Sequence, residues 1–295
     1  MNRSISVGRS PNTARNAKSP AERLKREEFY DSAADGNPAI RELRELWRYR
    51  PLVLQLIRRD IVTRYKRSSL GVAWTMLHPI GMMLIFSVVF SQVFKTPEYP
   101  VYLLTGLIAW LFFSQTTTMA VRNLLWGGTL LHRIYLPPTV FAACAVGTNL
   151  VNLVLSVIPL ITVMVVVGVP ITETALCLPL SIMIFAIFAF GVSLIISSIS
   201  IFYYDVVEAY QLVLTAWVYL TPIMYPADIL PESVRPWLTD ANPIFHMIEL
   251  LRAPLYRGEW LTWDLLWPAL AWSIGSLLIG WPMFTYQARK FAYQL

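Results

Sequence analysis

The chain reads as an all-α integral membrane protein: six transmembrane helices, amphipathic interface helices ahead of them, and short re-entrant outer helices before the last span. Three observations predict this. First, 56% of the 295 residues are hydrophobic and only 14% are charged, whereas soluble domains run near 45–50% and roughly 25%. Second, apolar runs of about 18 or more residues recur from residue 72 onward, long enough to cross a bilayer. Third, sixteen of the 24 Lys/Arg precede residue 75, and basic residues beside a span are held on the cytoplasmic side.

Residues 1–36 are basic and rich in Ser, Arg, Asn and Ala, with little periodicity; they are expected to form a disordered cytoplasmic tail. Residues 37–71 carry two amphipathic helices. Asn37-Pro38 is a helix start, with Asn as cap and Pro in the first turn. Ile40, Leu43, Leu46 and Trp47 then recur at helical spacing, with Arg41, Arg44, Glu45 and Arg48 on the other face. Pro51 restarts the chain, and Val53, Leu54, Ile57, Ile61 and Tyr65 make a second apolar stripe. Helices of this kind rest in the headgroup layer.

The six-span region, 72–295, follows, with spans at 72–94, 101–121, 139–167, 176–202, 207–224 and 265–286. Placing the N-terminus inside puts twenty Lys/Arg in cytoplasmic segments and four outside (Lys95, Arg235, Arg252, Arg257), so both termini are expected to be cytoplasmic. Segment 225–264 holds five prolines and the apolar stretch Ile244–Leu255, which is too short to span. Non-helical backbone at membrane depth needs protein or a water cavity around it. The segment is therefore expected to form re-entrant or interfacial helices closing an outer mouth. The first apolar run begins too late for a cleaved signal peptide.

Several chemistries are missing. No G-x-x-x-x-G-K-[ST] phosphate loop occurs, nor H-E-x-x-H, nor G-x-S-x-G. His78, His132 and His246 are far apart, and Cys144 and Cys177 have no metal spacing, so no metal, catalytic residue or resident cofactor is expected. The +6 net charge belongs to the N-terminal region, as for a flank against anionic lipid. No aromatic residue interleaves the basic ones in residues 1–26, which argues against nucleic acid. The acids Glu173, Asp205 and Glu208 sit at span ends, not at midplane where an ion-coupled carrier places them.

Polar residues within spans are mild. Thr148, Asn149 and Asn152 cluster on the third span, and Ser193, Ser197, Ser198 and Ser200 on the fourth. Interhelical hydrogen bonding and the lining of a hydrated path are both open readings. Trp74, Trp110, Phe113, Tyr203, Tyr204, Trp217, Tyr219 and Tyr225 sit near span ends or along the fourth and fifth spans. They suit either membrane-interface anchoring or a path along which sugar rings slide on aromatic faces.

At residues 58–79 the sequence resembles the signature of the type-2 ABC export permeases, polysaccharide and polyol-phosphate branch (O-antigen, capsule or teichoic acid). It has Arg64-Tyr65-Lys66, Ser68, Leu70-Gly71, Trp74, Leu77 and Pro79 in the order R-Y-K-x-S-x-L-G-x-x-W-x-x-L-x-P. Further agreement lies in Arg133 with Pro137-Pro138, in Thr221-Pro222-Ile223-Met224-Tyr225 beside the family's S-P-I-x-Y, and in Asn242-Pro243 with Arg252 in register. Tyr204-Asp205 departs from the family's Arg-Asp.

The resemblance implies a homodimer of six-span permeases in the bacterial inner membrane, with a path between the copies. It also implies two copies of a separate ATP-binding subunit, which holds ATP and Mg, and a lipid-linked glycan as cargo. Cytoplasmic loop 122–138 would dock that subunit through Asn123, Leu124, Trp126, Leu130, His132 and Arg133, helped by Arg44, Trp47 and Arg48. Arg58, Arg59, Arg64, Lys66 and Arg67 would either attract the pyrophosphate of a lipid carrier or serve as positive-inside anchors. The ten aromatic and amide residues Trp74, Trp110, Phe113, Asn149, Asn152, Tyr203, Tyr204, Trp217, Tyr219 and Tyr225 would line the path. Two alternatives remain open: export of a small molecule by the same architecture, and a membrane-embedded glycosyl- or acyltransferase.

Overall fold

The computed structural model describes residues 38–66, 71, 73–90, 93–94, 96–131 and 136–294. Two short helices come first, α1 (Pro38–Arg48) and α2 (Arg50–Tyr65). Four long ones follow: α3 (Ala73–Phe90), α4 (Tyr99–Leu131), α5 (Thr139–Val167) and α6 (Leu178–Phe202). A shorter α7 (Val206–Leu220) leads through the one-turn α8 (Arg235–Leu238) to α9 (Pro243–Arg252) and the last span, α10 (Trp263–Gln294). Among the described residues five helices are long and apolar enough to cross a membrane, and α7 is an additional shorter apolar helix. The architecture is that of an all-α membrane protein of about six spans.

α2 rests on α5, where Leu56 packs with Val140 and Cys144. The start of α1 is tied to the last span by a hydrogen bond from Trp281 Nε1 to the Ala39 carbonyl, 3.0 Å. Together α1, α2, the first turns of α5 and the far end of α10 define one end of the bundle, termed basal; α9 lies at the other, distal end.

The main core joins α4, α5, α6 and α9 around Phe113, Phe185, Ile248 and Leu251. The tightest crossing is α6 on α10. A Cβ on Gly191 would stand 2.6 Å from the Ser276 carbonyl carbon, so only glycine lets the two backbones meet there. Ser273 Oγ bonds across to the Ile184 carbonyl at 3.0 Å.

Two expectations change. The segment read as a loop from residue 122 continues as helix to Leu131, with no proline between residues 101 and 131 to break it. Gly127 stays helical, and its missing Cβ leaves room for the Phe141 ring, 2.5 Å from where a Cβ would be. Three of the four α6 serines follow neither earlier reading: Ser193, Ser198 and Ser200 donate to carbonyls four residues back in their own helix, at 2.7–2.8 Å.

Candidate functional site

Where α2 ends and α3 begins, a polar cavity of about 270 Å³ opens between them, α4 and α5; Arg64, Tyr65, Trp74, His78, Gln115, Asn149 and Asn152 border it. A larger one, about 770 Å³, adjoins it between α4 and α7. Its walls include Trp110, Ser114, Thr118, Arg122, Gln211 and Tyr219. Arg64 and Gln115 border both.

The floor of the smaller cavity is a relay of amides. Tyr65 Oη donates to Asn152 Oδ1 (3.3 Å), Asn152 Nδ2 to Asn149 Oδ1 (3.1 Å), and Asn149 Nδ2 to the Ala145 carbonyl (3.0 Å). Each amide in the span therefore has a partner, which makes two asparagines tolerable inside an apolar helix. In the larger cavity Gln211 Nε2 donates to Thr118 Oγ1 at 3.3 Å, holding α7 to α4. Two guanidinium groups, several amides and flat aromatic rings thus face shared space. Such a lining binds anionic oxygens through arginine and hydroxyl-rich rings through amides and aromatic faces.

Of the ten residues expected to line a path, Trp74, Asn149 and Asn152 border the first cavity, and Trp110 and Tyr219 the second. Phe113 does not line one: it is fully buried, stacked on Phe188 and edge-on to Trp217. Trp217 spends its indole N–H on Asn242 Oδ1, 3.1 Å away, and belongs to the packing of the distal end. Tyr225 donates to the Tyr219 carbonyl. Tyr203 and Tyr204 are exposed in the α6–α7 turn and border neither cavity.

Of the described residues of the basic cluster, Arg64 is the one that borders these two cavities. Arg58 and Lys66 are exposed elsewhere, Arg59 pairs with Asp60 at 2.9 Å, and Arg67 lies outside the described residues. Gln115, Thr118, Arg122 and Gln211 are lining residues that sequence reasoning missed. The first three recur at positions 115, 118 and 122, one face of a helix, which is the signal that could have found them.

At the basal end, Asn123 and Trp126 border the second cavity and Trp126 is 76% exposed. Leu124 is 1% exposed, packed in a cluster with Ala120, Phe141 and Phe284, so its side chain is not offered to a partner. The Leu130 side chain, His132 and Arg133 lie outside the described residues. Arg48 is exposed, while Arg44 and Trp47 border a groove between α1 and α2. Glu42 is buried and accepts from Thr139 Oγ1 (3.0 Å) and, more distantly, the Thr139 amide (3.4 Å). It thus caps the first turn of α5, which has no side-chain cap of its own. Burial pushes its carboxyl above the usual range, against the lowering effect of the Thr139 bonds.

At the distal end, α7 is only 15 residues long, about 22 Å at 1.5 Å per residue and short of the ~30 Å hydrocarbon layer. The chain continues through the non-helical turn Thr221–Tyr225, whose carbonyls need partners. Arg252, fully buried on α9, supplies two: Nη1 to Pro222 O (2.9 Å) and Nη2 to Ile223 O (3.0 Å). Tyr99 Oη reaches Met224 O (2.7 Å), and Tyr102 Oη reaches Tyr225 O (2.9 Å). The guanidinium carbon lies 3.6 Å from the Tyr102 ring centre. Asn242 caps α9 through Ile244 N and donates to Thr221 Oγ1, joining the start of that helix to the same turn. Two motifs twenty residues apart in the sequence are thus one bonded unit. Arg252, counted as an outer loop charge, is an internal clasp.

Among the described residues no group of three or more His, Cys, Asp or Glu is placed to hold a metal ion. A multi-pass helical bundle with arginine-bearing polar cavities between its spans has the build of a membrane permease. Comparison with known proteins fixes which kind. A family model for the ABC-2 type transporter matches residues 51–256, and the chain belongs to that family, in agreement with the resemblance read from residues 58–79. It is 28% identical over 256 residues to the O-antigen export system permease protein RfbA of Myxococcus xanthus, covering 86% of this chain and 98% of that one. A Klebsiella pneumoniae protein of the same name is 28% identical over 67% of this chain and 77% of its own. The polysialic acid transport protein KpsM of Escherichia coli is 26% identical over 69% and 80% respectively.

Proposed function

We propose that this chain is the membrane-spanning subunit of an ATP-driven exporter that moves a lipid-linked polysaccharide, of O-antigen type, across the bacterial cytoplasmic membrane. The observation that carries this is Arg64. It borders both polar cavities, beside the amide relay on one side and beside Trp110, Arg122 and Tyr219 on the other. A phosphate-bearing lipid carrier pairs with the arginines, and the sugars that follow meet amides and aromatic rings. The names of the similar proteins, which export O-antigen or transport polysialic acid, support the same cargo class.

In this reading two copies face each other and both termini lie in the cytoplasm. Each copy engages an ATP-binding subunit, which holds ATP and Mg, through the basal surface around Asn123 and Trp126, with Arg48 alongside. The distal turn clasped by Arg252 lies at the outer mouth.

The test is export in cells whose only permease is the Arg64→Gln/Arg122→Gln variant. Each charged hydrogen bond to phosphate is worth about 1.5–3 kcal/mol, so surface polysaccharide should fall by at least about tenfold while membrane insertion and capture of the ATP-binding subunit are kept. Normal surface polysaccharide in that variant would refute the cavity assignment.

A further inference from the structure

The groove between α1 and α2 has no part in the cavities or the distal clasp. It encloses about 700 Å³ and its wall is almost wholly apolar. Four of its hydrophobic residues stand open: Ile40 at 60% exposure, Leu43 at 58%, Trp47 at 70% and Leu54 at 65%. The polar groups on its border are two arginines, Arg44 and Arg50, and the Arg50 guanidinium carbon lies 4.9 Å from the Trp47 ring centre. Ala143, five residues into the membrane-crossing helix α5, also borders it.

The geometry points to an anionic phospholipid of the membrane as the occupant, one acyl chain along the groove and the phosphate at Arg44 and Arg50. Charge decides in favour of an anion. Residues 38–66 hold eight Lys/Arg against three acids, and two of the acids are engaged away from the groove: Glu42 turns inward to Thr139, and Asp60 pairs with Arg59. Position decides in favour of a lipid. One wall belongs to a helix that enters the hydrocarbon, so the groove lies at the boundary between headgroups and acyl chains, the level at which amphipathic helices bind. Each methylene buried there strengthens binding about fourfold, and each arginine near an anionic headgroup contributes about fivefold. The lipid would serve as a further seat for α1, which Ala39 and Glu42 tie to the bundle.

The full-length chain is reconstituted in nanodiscs of phosphatidylcholine with about 20 mol% brominated phosphatidylglycerol, which gives the surface the negative potential that basic segments respond to. It is then extracted into mild detergent, and retained lipid is measured by mass spectrometry. The wild type should retain phosphatidylglycerol in preference to phosphatidylcholine. Arg44→Gln/Arg50→Gln, both exposed side chains, should lower that retention by about 25-fold, two arginines at about fivefold each. Ala143→Phe, which fills the groove and leaves both arginines in place, should lower it as well. Arg59→Gln, outside the groove, should not. Bromine should quench a fluorescence component of the wild type that is missing from Trp47→Phe. Equal retention by wild type and all variants would overturn the proposal. So would a photo-crosslinker at position 47 that captures the ATP-binding subunit and no lipid.

Discussion

Replacing Arg252 with methionine tests the distal clasp directly, because the side chain is fully buried and the new one is of similar length. The variant loses two charge-assisted hydrogen bonds, to Pro222 O and Ile223 O, worth about 1.5–3 kcal/mol each. It also loses the cation–π contact with Tyr102, about 2 kcal/mol when desolvated. Against this, methionine avoids the several kcal/mol that burying a guanidinium costs. Glu249 is not orphaned, since it keeps Arg257, and Pro222 O keeps Tyr102 Oη at 3.1 Å. Ile223 O is left without its donor. The balance is a loss of about 3 kcal/mol. At about 2–4 °C per kcal/mol for a chain of this order of size, the melting temperature in detergent should drop by roughly 6–12 °C. Arg252→Lys should fall between, because one ammonium cannot present the forked donors that reach both carbonyls. Hydrogen exchange should rise in residues 221–225 and 243–252 before it rises in α5 or α6. A methionine variant that melts with the wild type and keeps the protection of that turn would refute the clasp.

Two further outcomes follow from the packing and the buried acid. Gly191→Ala forces a methyl into the Ser276–Leu277 backbone and should destabilise by about 1–3 kcal/mol. Gly275→Ala on the same helix meets nothing within 4 Å and should stabilise by up to about 1 kcal/mol through helix propensity; thermal melts of the two variants in detergent check the contrast, and a reversal would contradict the α6–α10 crossing. Glu42 has a carboxyl raised by burial. Its contribution is therefore fully present below its ordinary pKa of 4.5 and is lost as pH rises through the shifted value. Protection of the α1 backbone against hydrogen exchange should weaken over that rise in the wild type and stay flat in Glu42→Gln; an unchanged pH profile in the glutamine variant would exclude Glu42 as the titrating group.

Much of the architecture is written in local patterns. A span announces itself because lipid accepts only apolar side chains on a helix, so composition over about 20 residues is enough to find it. The helix starts at Pro38 and at Asn242-Pro243 are likewise short-range signals that the structure keeps, whereas α2, read as an amphipathic stripe, leaves apolar Leu54 and Val62 exposed alongside its arginines. What composition cannot carry is which residues meet. Arg252 looks like an ordinary loop charge until α9 folds inward and sets its fork on carbonyls thirty residues earlier. Phe113, Trp217 and Trp110 share one aromatic character, yet Phe113 is sealed in the core, Trp217 is part-buried with its indole N–H on Asn242, and Trp110, itself buried, borders a cavity. Gln115 and Arg122 become cavity residues only because α7 stands beside that face of α4. Hydropathy is a property of each side chain summed along the chain, so the sequence alone could set the number and nature of the crossings. The pairing of hydrogen-bond donors with orphan carbonyls, and the division of similar side chains between core and cavity, depend on contacts between distant segments, and those exist only once the helices are packed.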